Sequence, residues 1–151
     1  PISQVQVQPG WQARLGDAIR GRYTGARHFR TRGTELLARI EAAEGESLVE
    51  VNVALIEIIR VLLSITTPLQ QTAPPTTSGV DRLIEQVQMV GGTAYLSGTG
   101  GTAYMGEDAP ARFAEAGIEL RWSQHAMSTG DSIVSVLMDA EDPMAVVLAQ
   151  H

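Results

Sequence analysis

The residues of this sequence best suited to chemistry lie between Tyr95 and Tyr104, which read YLSGTGGTAY. Ser97 is followed by Gly98, Gly100 and Gly101, and two tyrosines close the run. Glycine permits positive φ and removes the Cβ that would hold a ligand away from the backbone. A turn of this kind opening into a helix can offer several N–H groups to a phosphate or carboxylate. Ligand contact is therefore expected at Tyr95, Ser97, Gly98, Gly100, Gly101 and Tyr104, with an anionic group of a nucleotide-sugar, a pantetheine phosphate or a carboxylate as the ligand chemistry. The other reading is a tight structural turn in which the tyrosine rings pack and their hydroxyls present nothing.

Ser97 is also the candidate nucleophile, since it falls on a strand-to-helix turn. It does not form the GxSxG elbow, because Leu96 precedes it and Tyr95 stands where that motif begins. A nucleophilic serine needs a base within about 3 Å. Of His28, His125 and His151, His125 lies just past an expected strand end and is the candidate base, with Asp131 or Asp108 to orient it. Against this stands a capping role, the Ser97 hydroxyl bound to a backbone N–H of the helix after the turn. Three dispersed histidines and no cysteine give no metal-ligand spacing, so no metal site is expected. No particular cofactor is implied.

A second polar feature is the arginine-rich stretch over residues 10–40. It holds Arg14, Arg20, Arg22, Arg27, Arg30, Arg32 and Arg39 against only Asp17 and Glu35. Such spacing could grip phosphate, or form a solvated helix face paired with acids elsewhere. All 11 basic residues are arginine, so Schiff-base lysines and P-loop lysines are excluded. A net charge of −6 argues against general nucleic-acid binding.

These groups need elements to hold them, and 151 residues suffice for one domain with a core, here aliphatic because aromatics are 5%. SQVQVQ (3–8) alternates like a short edge strand. Helices are expected at 11–22, at 26–43 with Gly33 a weak point, and at 48–64. The last of these is introduced by the Ser47/Glu50 capping-box pattern and, being apolar nearly all round, is expected to sit centrally. The Thr/Pro/Gln-rich segment 66–79 reads as a flexible loop. A helix at 80–90, capped near Ser78, should turn Leu83, Ile84, Val87 and Val90 inward. A strand at 93–96, a helix at 109–116, a strand at 118–122, and helices at 131–140 and 143–150 complete the order. Alternation of helix and strand from 80 to 122 predicts parallel neighbours. The expected fold is α/β, a single helix-rich domain over 1–151 with a small parallel sheet flanked by helices. Pro1 to Gly10 lacks the basic and apolar regions of a signal peptide, and the apolar run 51–65 is short for a membrane span. A cytoplasmic location without membrane contact is the expectation.

The run RLIEQVQMVGGTAYLSGTGGTAYMGEDAPARFAEAGIELRW (82–122) resembles the second half of the WbqC-like family, with its "TYLSGxGxxxY" and "GIEL" signatures. Tyr95, Leu96, Ser97, Gly98, Gly100, Tyr104 and Gly117 to Leu120 match. DSIVSVLMD (131–139) is similar to the family's "LSILDLLFN" helix, and NVALIEIIRVLLSI (52–65) to its "N..LI..I...LGI" helix. The stretch from Trp11 through Tyr23 to Phe29 resembles "W…Y…AP.F", so most of the chain is covered. Nothing here corresponds to the family's opening "HQPxYxPWxGY" segment, where its reactive residues are expected, and "HP.Y.Q" is reduced to His125. The resemblance implies a truncated, processed or split form of a biosynthetic enzyme. The implied activity is acyl or aminoacyl transfer, forming amides in bacterial surface-polysaccharide or secondary-metabolite synthesis. Its partners would be a small-molecule or carrier-bound substrate, with a partner chain or self-association completing the cleft. The alternative is a non-catalytic binding or assembly module, which should show an apolar face near 48–65.

Overall fold

Glycine, proline and capping residues punctuate this chain into short helices around one pair of strands. The computed structural model describes residues 2–123 and 132–149. In chain order the elements are α1 (Trp11–Tyr23), a π-helical turn (Phe29–Gly33), α2 (Thr34–Glu41), α3 (Leu48–Leu62) and α4 (Gly79–Met89). There follow β1 (Ala94–Gly98), a 3-10 turn (Thr99–Gly101), α5 (Thr102–Met105), α6 (Ala109–Glu115), β2 (Glu119–Ser123), α7 (Ile133–Asp139) and α8 (Pro143–Leu148). The fold is thus helix-rich α/β, with a two-stranded parallel sheet flanked by helices, as the alternation predicts. The chain forms two compact units, one helical (described residues 2–67 and 132–149) and one α/β (68–123).

In the helical unit, Ile19 of α1, Leu36 and Ile40 of α2, Ile58 of α3 and Met138 of α7 share one core. Trp11 donates its indole N–H to the Gly45 carbonyl at 3.2 Å, and Gln12 its amide to Ala43 at 2.9 Å, fixing the start of α1 against the end of α2. The helix expected over 26–43 starts only at Phe29, with its first five residues π-helical, and runs through Gly33 into α2 without a break. Gly33 is closely packed, since a Cβ there would lie 2.8 Å from the Phe29 ring and 3.1 Å from the Met138 sulfur. The expected strand at 3–8 reduces to one antiparallel bridge, Gln6 to Ser47, after a 3-10 turn at Ile2–Gln4. Pro9 has no N–H with which to extend the ladder.

Ser47 and Glu50 form the expected capping box on α3, the Glu50 carboxylate accepting from Ser47 N at 2.9 Å and Ser47 Oγ from Glu50 N at 3.3 Å. The backbone N–H of Ser47 foremost, and then that of Glu46 at 2.9 Å, hold the Glu50 carboxyl below its ordinary range. The helix itself is not central. It packs along a stripe of Val51, Leu55, Ile58 and Leu62, while Ile56 and Val61 remain 48% and 51% exposed. Ser132 caps α7 through Val134 N, and Asp142 caps α8 through Met144 N and Ala145 N. Asp131 and His125 lie outside the described residues.

The arginine-rich stretch is largely absorbed by the helical unit. Arg20 pairs with Asp17, Arg39 with Glu35 and Arg27 with Glu141, while Arg14 donates to the Gln8 and Pro9 carbonyls. Arg32 donates to the carbonyls of Leu137, Ala140 and Glu141 at 3.2, 2.5 and 2.6 Å, closing the C-terminal end of α7.

In the α/β unit, Phe113 of α6 is completely buried and joined by Val80, Val87, Met105, Ala109 and Ile118. Tyr95 stacks on it, with ring centroids 5.4 Å apart and planes 16° apart. Gly117, at φ 73°, turns the chain from α6 into β2, a conformation that favours glycine. The expectation for Val90 is corrected: α4 ends at Met89, and Val90, in its cap position, is exposed. Ser78 occupies the N-cap position of α4 without a side-chain bond. The tie is made by Glu85, whose carboxylate accepts from Thr76 N and Thr77 N at 3.0 and 3.1 Å and from both hydroxyls at 3.1 and 2.6 Å. No described helix is long and apolar enough to cross a membrane.

Candidate functional site

The parallel register sets Tyr95 beside Leu120, Leu96 beside Arg121, Ser97 beside Trp122 and Gly98 beside Ser123. Side chains alternate between the faces of a strand, so Tyr95 and Ser97 share one face with Leu120 and Trp122. Leu96 and Arg121 share the other, where Leu96 is well exposed and Arg121 pairs with Glu119 at 2.5 Å. That pairing lowers the Glu119 carboxyl and raises the Arg121 guanidinium relative to their ordinary values.

Ser97 is 2% exposed. Its hydroxyl donates to the Gly98 carbonyl at 3.1 Å, and the expected cap, in which it would accept from a backbone N–H, is not seen among the described residues. The turn folds over it so closely that a Cβ at Gly101 would fall 2.1 Å from Ser97 Oγ, 2.9 Å from Met105 Cε and 3.2 Å from the Trp122 ring. Gly101 is therefore a contact point, and Ser97 is the post on which the turn rests. Its candidate base, His125, lies outside the described residues. The candidate orienter Asp108 sits 3.8 Å from Arg112.

Gly98 and Gly100 behave differently. A Cβ at either would meet nothing within 4 Å. Gly98, Gly100 and Gly101 are all absent from the positive-φ glycines, so the conformational argument for them does not hold. What the first two provide is open space beside an exposed backbone that carries no side chain. It lies at the carboxyl end of β1, where parallel α/β units place their ligands.

Tyr104 and Arg82 of α4 both stand near enough to Tyr95 to act on its phenol electrostatically. Burial first, and then the Tyr104 hydroxyl, push the Tyr95 phenol above its ordinary value, with Arg82 opposing. Tyr95 thus both packs its ring and presents its hydroxyl, while Tyr104 is 65% exposed. The rim of the turn therefore carries two phenols and a guanidinium, a hydrogen-bonding edge for a polar ligand. Sequence reasoning gave Trp122 as a core or pocket-rim residue, and the parallel register pairs it with Ser97. It missed Arg82, for which no local pattern points to position 95. Among the described residues no three His, Asp or Glu side chains gather as a metal site would require.

The comparisons with known proteins bear on the whole of this arrangement. The model of the WbqC-like protein family matches residues 1–129, a span that takes in both the glycine-rich turn and the sheet beneath it. No curated protein and no solved structure matches the chain. With the match covering most of the sequence, and the signature residues converging on one turn, the chain belongs to the WbqC-like protein family.

Proposed function

We propose that this chain serves biosynthetic acyl or aminoacyl transfer, forming amides in bacterial surface-polysaccharide or secondary-metabolite synthesis in the cytoplasm. In this reading the turn over residues 97–101 holds the substrate, a small molecule or a carrier-bound group. The observation that carries the reading is the open space beside the exposed backbone of Gly98 and Gly100 at the carboxyl end of β1. Tyr95, Tyr104 and Arg82 would orient the ligand's polar end, and Ser97 and Gly101 would keep the turn in shape. A second reading, a non-catalytic assembly module, draws support from the exposed Ile56 and Val61 on α3.

A thermal-shift panel of a nucleotide-sugar, coenzyme A and free amino acids tests the first reading. One class should raise the midpoint, and Gly98→Val or Gly100→Val should remove that rise while leaving the unliganded midpoint within about 1 °C. The unliganded protein tolerates these changes because both sites face open space at ordinary φ. A rise that survives both substitutions would overturn the cradle. With a turnover assay in hand, loss of rate without loss of binding in Ser97→Ala would make Ser97, with His125 as its base, the chemical group. Retained rate would leave it a support.

A further inference from the structure

The helical unit contains an open hollow of about 320 Å³ whose walls are almost wholly apolar, among them Leu15, Ile19, Leu36, Ile40, Leu55 and Ile59. It opens to solvent between α1, α2, α3 and the start of α7, whose Ile133 and Val134 complete the wall. Water gains little there, since a hydration site needs two to four polar partners.

At its mouth stand Arg22 and Tyr23, which also line a neighbouring open cleft with Ser135 and Asp139. The guanidinium of Arg22 lies 5.7 Å from the centroid of the Tyr23 ring, and the Tyr23 hydroxyl is 2.8 Å from Ser135 Oγ. Arg20, Arg27 and Arg39 each engage a carboxylate. Arg22, among the described residues, engages none. An apolar slot that opens beside an uncompensated cation and two hydroxyls matches a molecule with the same division of polarity. Asp139 in the cleft disfavours a second negative charge, which selects a monoanion over a phosphate.

We propose that this hollow binds the aliphatic chain of a medium-length carboxylic acid, with the carboxylate on Arg22. The volume matches roughly ten carbons at about 30 Å³ each, the share of a small liquid molecule such as water. The site is separate from the glycine-rich turn and does not depend on the function proposed for it.

Calorimetric titration of the whole chain with hexanoate, octanoate, decanoate and dodecanoate, each below its micelle concentration, tests the assignment. Affinity should rise about fourfold per methylene and level off near ten carbons, with one molecule bound per chain. Arg22→Gln should weaken decanoate at least fivefold and leave 1-decanol unchanged. Ala18→Phe, which grows into the hollow from an exposed position on α1, should remove both ligands at unchanged helical circular dichroism. Absence of binding, affinity that keeps rising through dodecanoate, or equal loss of alcohol and acid in Arg22→Gln would each overturn the proposal. Should Ala18→Phe not fold, the Arg22→Gln comparison decides alone, because Arg22 is exposed and in no ion pair among the described residues.

Discussion

The two units of this chain are held together by different means. The α/β unit gathers around one aromatic side chain, Phe113, with Tyr95 stacked upon it, and most of its polar ties are local, such as Glu85 to Thr76 and Thr77 and Arg121 to Glu119, with Arg112 to Asp81 reaching further. The helical unit spreads its core over four helices and closes it by polar side chains reaching distant backbone, such as Trp11 to Gly45 and Arg32 to the end of α7. One region is organised by burial at a point and the other by bonds across sequence distance. The difference teaches where each should be vulnerable: the first to loss of volume, the second to loss of a donor.

The largest effect is expected from Phe113→Ala. Removing a fully buried phenylalanine costs about 3–5 kcal/mol, and the denaturant midpoint of the sheet amides should fall accordingly. A loss under about 1 kcal/mol would show that Phe113 is not the centre of that unit. Arg32→Met sharpens the other half of the comparison. It keeps most of the side-chain volume but removes three bonds to carbonyls, a loss of about 2 kcal/mol for a charged donor. If Arg32→Met were neutral by chemical denaturation, packing alone would hold α7.

The smallest effect belongs to Glu85, and its pH dependence identifies it. Bonds from the Thr77 hydroxyl first, then from backbone Thr76, lower its carboxyl from 4.5 to about 2. A depressed carboxylate stabilises the fold above its ordinary value and ceases to do so as pH falls through the folded one. The thermal midpoints of the protein and of Glu85→Gln should therefore differ at pH 7 and converge between pH 4.5 and about 2. A gap independent of pH would assign the effect to something other than charge.

Much of this was legible in the sequence where the determinant is local. The Ser47/Glu50 capping box and Gly117 ending α6 follow from residues within a few positions of one another, and the parallel pairing follows from the alternation of helix and strand over 80–122. The π-helical start of the second helix and the packing of Gly33 against Met138, more than a hundred positions away, did not. Nor did the exposure of Ile56 and Val61, since an apolar sequence states what a helix can bury but not how many neighbours it will meet. At the candidate site the turn was legible as a turn, and the division of labour within it was not. Gly98, Gly100 and Gly101 look alike in sequence, yet only Gly101 is pressed against a side chain.

Met138 carries a consequence for how the chain is made. It is completely buried in a core whose other members, Ile19, Leu36, Ile40 and Ile58, all leave the ribosome much earlier. The backbone bond from His28 to Met138 and the Tyr23–Ser135 contact also wait for it. Residues 68–123, though later in sequence than the first helices, contain every partner of their own core found among the described residues. During synthesis the middle of the chain can therefore finish before the segment that precedes it, whose helices stay short of a core member until Met138 has been added.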